Sequence, residues 1–438
     1  MIFPTLYCLR GNNDKSPLSD LYGDHRCNDY DELLLFLHIT GAYLGSENTM
    51  RFASLFTLFL SHQLSNAFVI QKSSADGIAR RAAVSSDLLD VDFTPPDTMG
   101  EGEITEQACA DAASLMKRVN VPISSTVADS ETVGISYIHW KAENTSSSKT
   151  LPILLVHGFD SSCLEYRRMG PKLAALGIDT YAVDLLGWGY SQLADVNSFS
   201  AQAKVEALTS FWKTMGGGSP VCVAGASLGG AAAIEFAAAE TELVKGLVLI
   251  DAQGFVDGVG PMASLPRPLA QAGVQVLKSV PLRNSANKMS YYNSEKFATE
   301  DALKVGRMHC LRDGWNDALV NFMLSGGFSP SAKVSQIDAP SLVMWGRQDG
   351  ILESEFAQKF LDTLPDSQLK WIEECGHVPH LEQPEEAAET ISNFLRSEKF
   401  ETLDSAVSSE KQNIGLIGGL AGAATLVGTA AAVLAGST

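Results

Sequence analysis

Residues 221–236 read VCVAGASLGGAAAIEF. Val221 to Ala224 have the composition of a short, buried strand, and the run from Leu228 reads as a helix. Between them Gly225-Ala226-Ser227-Leu228-Gly229 spells G-x-S-x-G, followed by Gly230. In a strand-to-helix turn this pattern holds a serine hydroxyl above the sheet at a helix N-terminus, where free N–H groups and the helix dipole favour negative charge. Side chains at 225 or 229 would clash with neighbouring backbone in so tight a turn, so glycine is required on both sides. Ser227 is therefore the candidate nucleophile. The backbone N–H of Leu228, the next residue, is a candidate oxyanion donor.

The flanking sequence repeats the strand–helix alternation. VPISSTVAD (121–129) and ETVGISYIHW (131–140) read as two strands of an antiparallel opening. LPILLVHG, IDTYAVD, VKGLVLIDA, PSLVMWG and SQLKWIEE read as further strands. They alternate with the helical segments EYRRMGPKLAALG, SAQAKVEALTSFWKTM, SEFAQKFLDTL and PEEAAETISNFLRSEK, with Ser200 a helix N-cap. Short apolar strands between helices predict an α/β fold: a mostly parallel central sheet with helices on both faces. Residues 253–338 are too long for a loop and carry the helical pieces 298–315 and 316–327, so they read as a helical cap inserted between core strands.

A serine hydroxyl needs a base. His377, after strand SQLKWIEE in CGHVPHLEQPEE, is the candidate, with His380 the nearby competitor. The base needs an orienting acid. Asp349, in the turn GRQDG, is favoured, and Asp251, at the end of VLIDA, is the alternative acid. A second oxyanion donor is expected after strand LPILLVHG, where His157-Gly158-Phe159 places the Phe159 N–H and makes His157 structural. Tyr291, Tyr292, Trp315 and Phe322 are candidate pocket linings or cap core.

HGF, D-x-x-G-W-G-x-S (Asp184 to Ser191), GASLGG, GRQDG and GHVPHLEQPEE, in that order, resemble the α/β-hydrolase fold family with a helical cap, over about residues 121–400. IDAQGFVDGVGPMA and MHCLRDGWNDALVNFMLSGGF are similar to plastid members of plants and algae. The resemblance implies a serine hydrolase acting on an ester or thioester through an acyl-enzyme. A haloperoxidase, an acyltransferase or a non-catalytic tethered binding protein on the same scaffold are the alternatives. Serine at the elbow departs from epoxide hydrolases and haloalkane dehalogenases, which need aspartate there. Ala226 and Val378 depart from carbon–carbon bond hydrolases, which usually carry Asn and Trp at those positions. Pheophytinase and chlorophyll dephytylase share fold, triad and plastid context, so phytyl esters are an analogous substrate class.

Composition limits partners. A net charge of −19, with no basic patch, argues against nucleic acid. The seven cysteines include no CxxC or His/Cys cluster at metal spacing, so no disulfide framework, metal or cofactor is implied. Cys222 and Cys375 read as small buried residues. The expected organisation is a presequence over 1–100, core over 101–252 and 339–400, cap over 253–338, linker over 401–413 and membrane anchor over 414–436. Met50 reads as the start. Arg51, FASLFTLFL (52–60) and Ser65-Asn66-Ala67 resemble a signal sequence with its cleavage site. Phe68 and the Ser/Ala/Arg-rich stretch 72–86 resemble a bipartite plastid presequence, with plain secretion the alternative. Ile414 to Gly436 is uncharged, carries GxxxG pairs and is long enough to span a bilayer. A lipophilic ester and a membrane are thus the expected partners.

Overall fold

The computed structural model describes residues 88–90, 92–97, 104–143 and 150–400. Eight strands form one sheet: β1 (Lys117–Pro122), β2 (Thr132–Trp140), β3 (Ile153–Val156), β4 (Thr180–Val183), β5 (Val221–Ala226), β6 (Val244–Ile250), β7 (Ser341–Gly346) and β8 (Ser367–Ile372). Their order is β1-β2-β4-β3-β5-β6-β7-β8. β1 and β2 pair antiparallel, β2 meets β4 antiparallel, and all other pairs are parallel. The α/β class and mostly parallel sheet are as expected.

Parallel strands covered on both faces must be apolar at every position. β3 and β5 are buried throughout. Their side chains alternate between two separate cores: Leu154, Val156, Val221 and Val223 face one, while Ile153, Leu155, Cys222 and Ala224 face the other. Helix Leu228–Ala239 is buried on nearly every side, which its Gly/Ala-rich sequence permits by letting it lie close to the sheet. Cys222 and Cys375 are fully buried, and burial pushes both thiols up, so they behave as the small apolar residues expected.

Most boundaries follow the sequence. Helix Ala201–Met215 starts where Ser200 Oγ accepts from Ala203 N at 3.2 Å. Three differences stand out. The first strand runs over 117–122 rather than 121–129, because Ser124 to Val127 form a turn, with Val127 N donating to Ser124 O, and the edge strand tolerates the polar Lys117, Arg118 and Asn120. The segment 165–177 forms a short 3₁₀ turn (Cys163–Tyr166) and a six-residue helix (Gly170–Ala175), not one continuous helix. The folded region also begins upstream of residue 100. Leu89 bridges Val119, and Asp90 pairs with Arg118 at 2.6 Å, so residues 88–90 belong to the sheet edge rather than to a presequence.

Between β6 and β7 lie helices Arg267–Leu277, Val280–Ser290, Ser294–Phe297, Glu300–Met308, Trp315–Leu324 and Ser331–Val334. The first two were not apparent from sequence, because their prolines look like breakers. Pro268 and Pro281 instead occupy the first turn of each helix, where a missing N–H costs nothing. Among the described residues no helix is long and apolar enough to cross a membrane. The presequence features of 50–86 and the apolar stretch 414–436 lie outside the described residues.

Candidate active site

The turn at Ser227 is strained, with φ 51° and ψ −124°. Two glycines make it possible by close approach. A Cβ at Gly225 would sit 2.1 Å from Gly229 O, and one at Gly229 would sit 2.2 Å from Val156 O. The turn is braced on both sides: Ser227 N donates to Ile250 O at 3.0 Å, and Gln253 N donates to Ser227 O at 2.8 Å. Leu228 is the first residue of the following helix, so its N–H has no acceptor within that helix.

The loop after β3 lies against this turn. A Cβ built on Gly158 would be 3.4 Å from Ser227 Cβ. Gly158 N donates to Glu165 Oε2 at 3.2 Å, and the Phe159 ring packs edge-on against Trp188 at 5.6 Å. His157 is fully buried, which lowers its pKa. Its Nδ1 bonds Gly158 O at 2.8 Å and its Nε2 accepts from Leu185 N at 3.1 Å, so it is a neutral structural ring. Asp184, which opens the D-x-x-G-W-G-x-S motif, accepts from Cys163 N, Tyr190 N and Ser136 Oγ and braces the neighbouring loop.

His377 and Asp349 meet beyond the ends of β7 and β8, with Nδ1 2.8 Å from Asp349 Oδ2. Asp349 Oδ1 accepts from Ile351 N at 2.7 Å and Leu352 N at 3.1 Å. Burial opposes ionisation of Asp349, but the His377 contact and these amides outweigh it and the pKa is lowered. His380 is directed elsewhere: fully buried, it lies 2.9 Å from Glu165 Oε1 and packs against Tyr166. Asp251 lies at the end of β6, close to the same pair. Its Oδ1 accepts from Gly346 N at 2.9 Å.

Several residues that shape the site were not singled out from sequence. Asp160, with φ 46°, follows Phe159 and is buried among cap groups. Its carboxylate binds Arg283, His309 Nε2 at 3.1 Å and Trp315 Nε1 at 2.7 Å. Glu382 accepts from Gly376 N at 2.8 Å, Tyr292 N at 3.0 Å and Asn293 N at 2.7 Å, tying the histidine loop to the cap. An acid immediately after HGF, and another five residues after His377, are the available signals.

The expected pocket linings are mostly packing residues. Trp315 and Phe322 are buried, Tyr291 stacks on Phe297, and Tyr292 alone is exposed, at 53%. Asp160, His309 and Cys310 bring three metal-capable side chains together, as do Asp251, Asp349 and His377. The Arg283 guanidinium already fills the first group, reaching Asp160 and, at 3.0 Å, Cys310 Sγ. A metal cation there would meet a fixed positive charge.

A family model described as "Alpha/beta hydrolase family" matches residues 153–390. The Arabidopsis thaliana alpha/beta hydrolase domain-containing protein VTE7 is 39% identical over 56% of this chain and 73% of its own length. Lipase 1 of Psychrobacter immobilis is 27% identical over 56% of this chain and 76% of its own. A 2-hydroxy-6-oxo-6-(2'-aminophenyl)hexa-2,4-dienoic acid hydrolase of Metapseudomonas resinovorans is 28% identical over 57% and 85%. With its eight-stranded sheet, its serine elbow and a family match over more than half its length, the chain belongs to the alpha/beta hydrolase family.

Proposed function

We propose that this protein is a serine hydrolase that cleaves a lipophilic carboxylic ester or thioester. The observation that carries the reading is the 2.8 Å contact between His377 Nδ1 and the ionised Asp349, at the sheet edge that also holds the strained Ser227. His377 takes the Ser227 proton as the hydroxyl attacks the carbonyl carbon. The N–H groups of Leu228 and Phe159 receive the developing oxyanion, each contributing about 3 kcal/mol to the transition state. Asp349 holds the imidazole tautomer and stabilises its charged form. The leaving alcohol or thiol takes the proton back from His377, and water then releases the acyl group by the same route.

The lipase relative supports ester chemistry, and the apolar stretch 414–436 supports a lipophilic substrate. Ala226 and Val378 depart from the pattern of carbon–carbon bond hydrolases, despite the dienoic acid hydrolase relative. A fluorophosphonate probe is expected to label Ser227 in the folded protein and to leave Ser227→Ala unlabelled. Equal labelling of the two proteins removes the reading. An ester screen varying acyl-chain length, with phytyl and galactolipid esters included, then identifies the substrate.

The plastid is the proposed compartment, supported by the Ser/Ala/Arg-rich stretch 72–86 and the plant relative. A fluorescent fusion of residues 50–100 is expected to enter plastids, and the full chain to lose membrane association when 412–438 is deleted. Accumulation in the secretory pathway, or unchanged fractionation, counts against each part respectively.

A further inference from the structure

Two carboxyl groups face one histidine at the end of the sheet, and their surroundings differ sharply. A carboxylate oxygen of Asp251, one of Asp349 and a ring nitrogen of His377 all lie within 4.8 Å of one another. Asp349 has the partners an anion needs: two backbone N–H groups on Oδ1 and His377 on Oδ2. Asp251 is fully buried and has one amide, Gly346 N, on Oδ1. Its Oδ2 has no hydrogen-bond partner among the described residues. A buried carboxylate so poorly solvated beside a second carboxylate does not keep its charge. Its strained backbone, with φ 42°, is held by Asp251 N donating to Met344 O at 2.9 Å, and its carboxyl by the Gly346 amide.

Resting on the serine-hydrolase reading, we propose that Asp251 is a positioning residue that works as a neutral carboxylic acid. It grips the end of β7 through the Gly346 amide and turns its acid proton toward Asp349. Asp349 alone then carries the negative charge that orients His377. Burial, and next the charge of Asp349, raise the Asp251 pKa well above the ordinary carboxylate range, in keeping with this. The Cys375 thiol also feels Asp251, and burial keeps that thiol neutral. Asp251 is thus neither a spare acid for His377 nor an incidental strand end. Its proton limits the pair to a single charge.

The test uses the full chain and a p-nitrophenyl ester, with kcat/KM measured against pH. Asparagine keeps both functions of a neutral Asp251, since its oxygen accepts from Gly346 and its amide donates toward Asp349. Asp251→Asn is therefore expected to stay within about threefold of wild type, with the acid limb of the profile unmoved. Asp349→Asn, by contrast, should lose about 10⁴-fold. Asp251→Ala removes the donor and leaves Asp349 a stronger partner for the charged imidazole. Its rate should fall about 10-fold or more, and its acid limb should move to higher pH.

An acid limb that moves down by about one unit or more in Asp251→Asn would show that a negative charge had been removed, and overturns the proposal. So does a loss in Asp251→Asn matching that of Asp349→Asn, or an Asp251→Ala protein with wild-type rate and profile. Should the alanine variant fail to fold, the asparagine profile decides alone. Failure of the underlying reading has a different signature: wild-type protein that the fluorophosphonate does not label.

Discussion

Ser227→Ala and His377→Ala each lower kcat by about 10⁵- to 10⁶-fold on the proposed mechanism, and the double variant is hardly worse than either one. The non-additivity is the informative part. A serine hydroxyl is a weak nucleophile until the imidazole takes its proton, and the imidazole has no proton to take once the hydroxyl is gone. Removing one group therefore removes the function of both. The residual rate comes from the Leu228 and Phe159 N–H groups, which polarise the carbonyl without either side chain. Asp349→Asn should retain more than the other two, because it misorients the base without deleting it. Steady-state kinetics on an activated ester, with the enzyme concentration fixed by absorbance, measure all four variants. Losses that multiply in the double variant would mean that the two side chains act independently, and the acyl-enzyme mechanism would have to be abandoned.

Asp160→Ala is expected to destabilise the protein by about 3–5 kcal/mol, with the thermal midpoint falling accordingly. The cost follows from what is left behind. Asp160 is 1% exposed and neutralises Arg283 and His309, while Trp315 Nε1 donates to it at 2.7 Å. Deleting the carboxylate leaves the half-buried Arg283 guanidinium, the buried His309 and one indole N–H without their shared acceptor. The damage should also reach catalysis, since Asp160 adjoins Phe159 and connects that loop to the cap. A double-mutant cycle with Arg283→Met should recover part of the loss, because an apolar group of similar size removes the stranded cation. A purely additive cycle would deny the coupling.

The same cluster predicts a pH dependence. Burial opposes a charge on His309, but Cys310 and Asp160 outweigh it and raise the pKa from 6.5 to about 9. The folded value lies above the unfolded one, so the stabilisation is complete below about pH 6.5 and is lost as pH rises through about 9. Melting curves between pH 6 and pH 10 should show this alkaline loss in wild type and a shallower one in Asp160→Ala. Equal slopes would place the pH dependence in other groups.

Much of this protein is legible in one dimension. G-x-S-x-G between Val221–Ala224 and the Gly/Ala-rich helix can be read locally in part: Gly225 must clear Gly229 within the same five residues, whereas Gly229 must clear Val156 on the neighbouring strand. Strand apolarity is equally local, since a strand buried on both faces must be apolar at each position. The pairing of His377 with Asp349 could be anticipated, because both follow strands and a parallel sheet gathers its strand ends at one edge. The proline-opened cap helices were hidden by a local rule that holds inside helices and fails at their first turn.

Other features existed only once the chain was folded. Asp160 reads as one more loop acid until it meets Arg283, His309 and Trp315, which lie 123, 149 and 155 residues away. The Gly376-His377 pairing directly after a strand favours His377 in CGHVPHLE, but only packing directs its neighbour His380 toward Glu165. Asp251 and Asp349 are both acids at strand ends. The number of amides reaching each carboxyl, and the water excluded from it, decide which one holds the charge. Residue types and their spacing thus determined the chemistry available at the sheet edge. Desolvation and long-range partners, which no local pattern encodes, decided how protons and charges are distributed there.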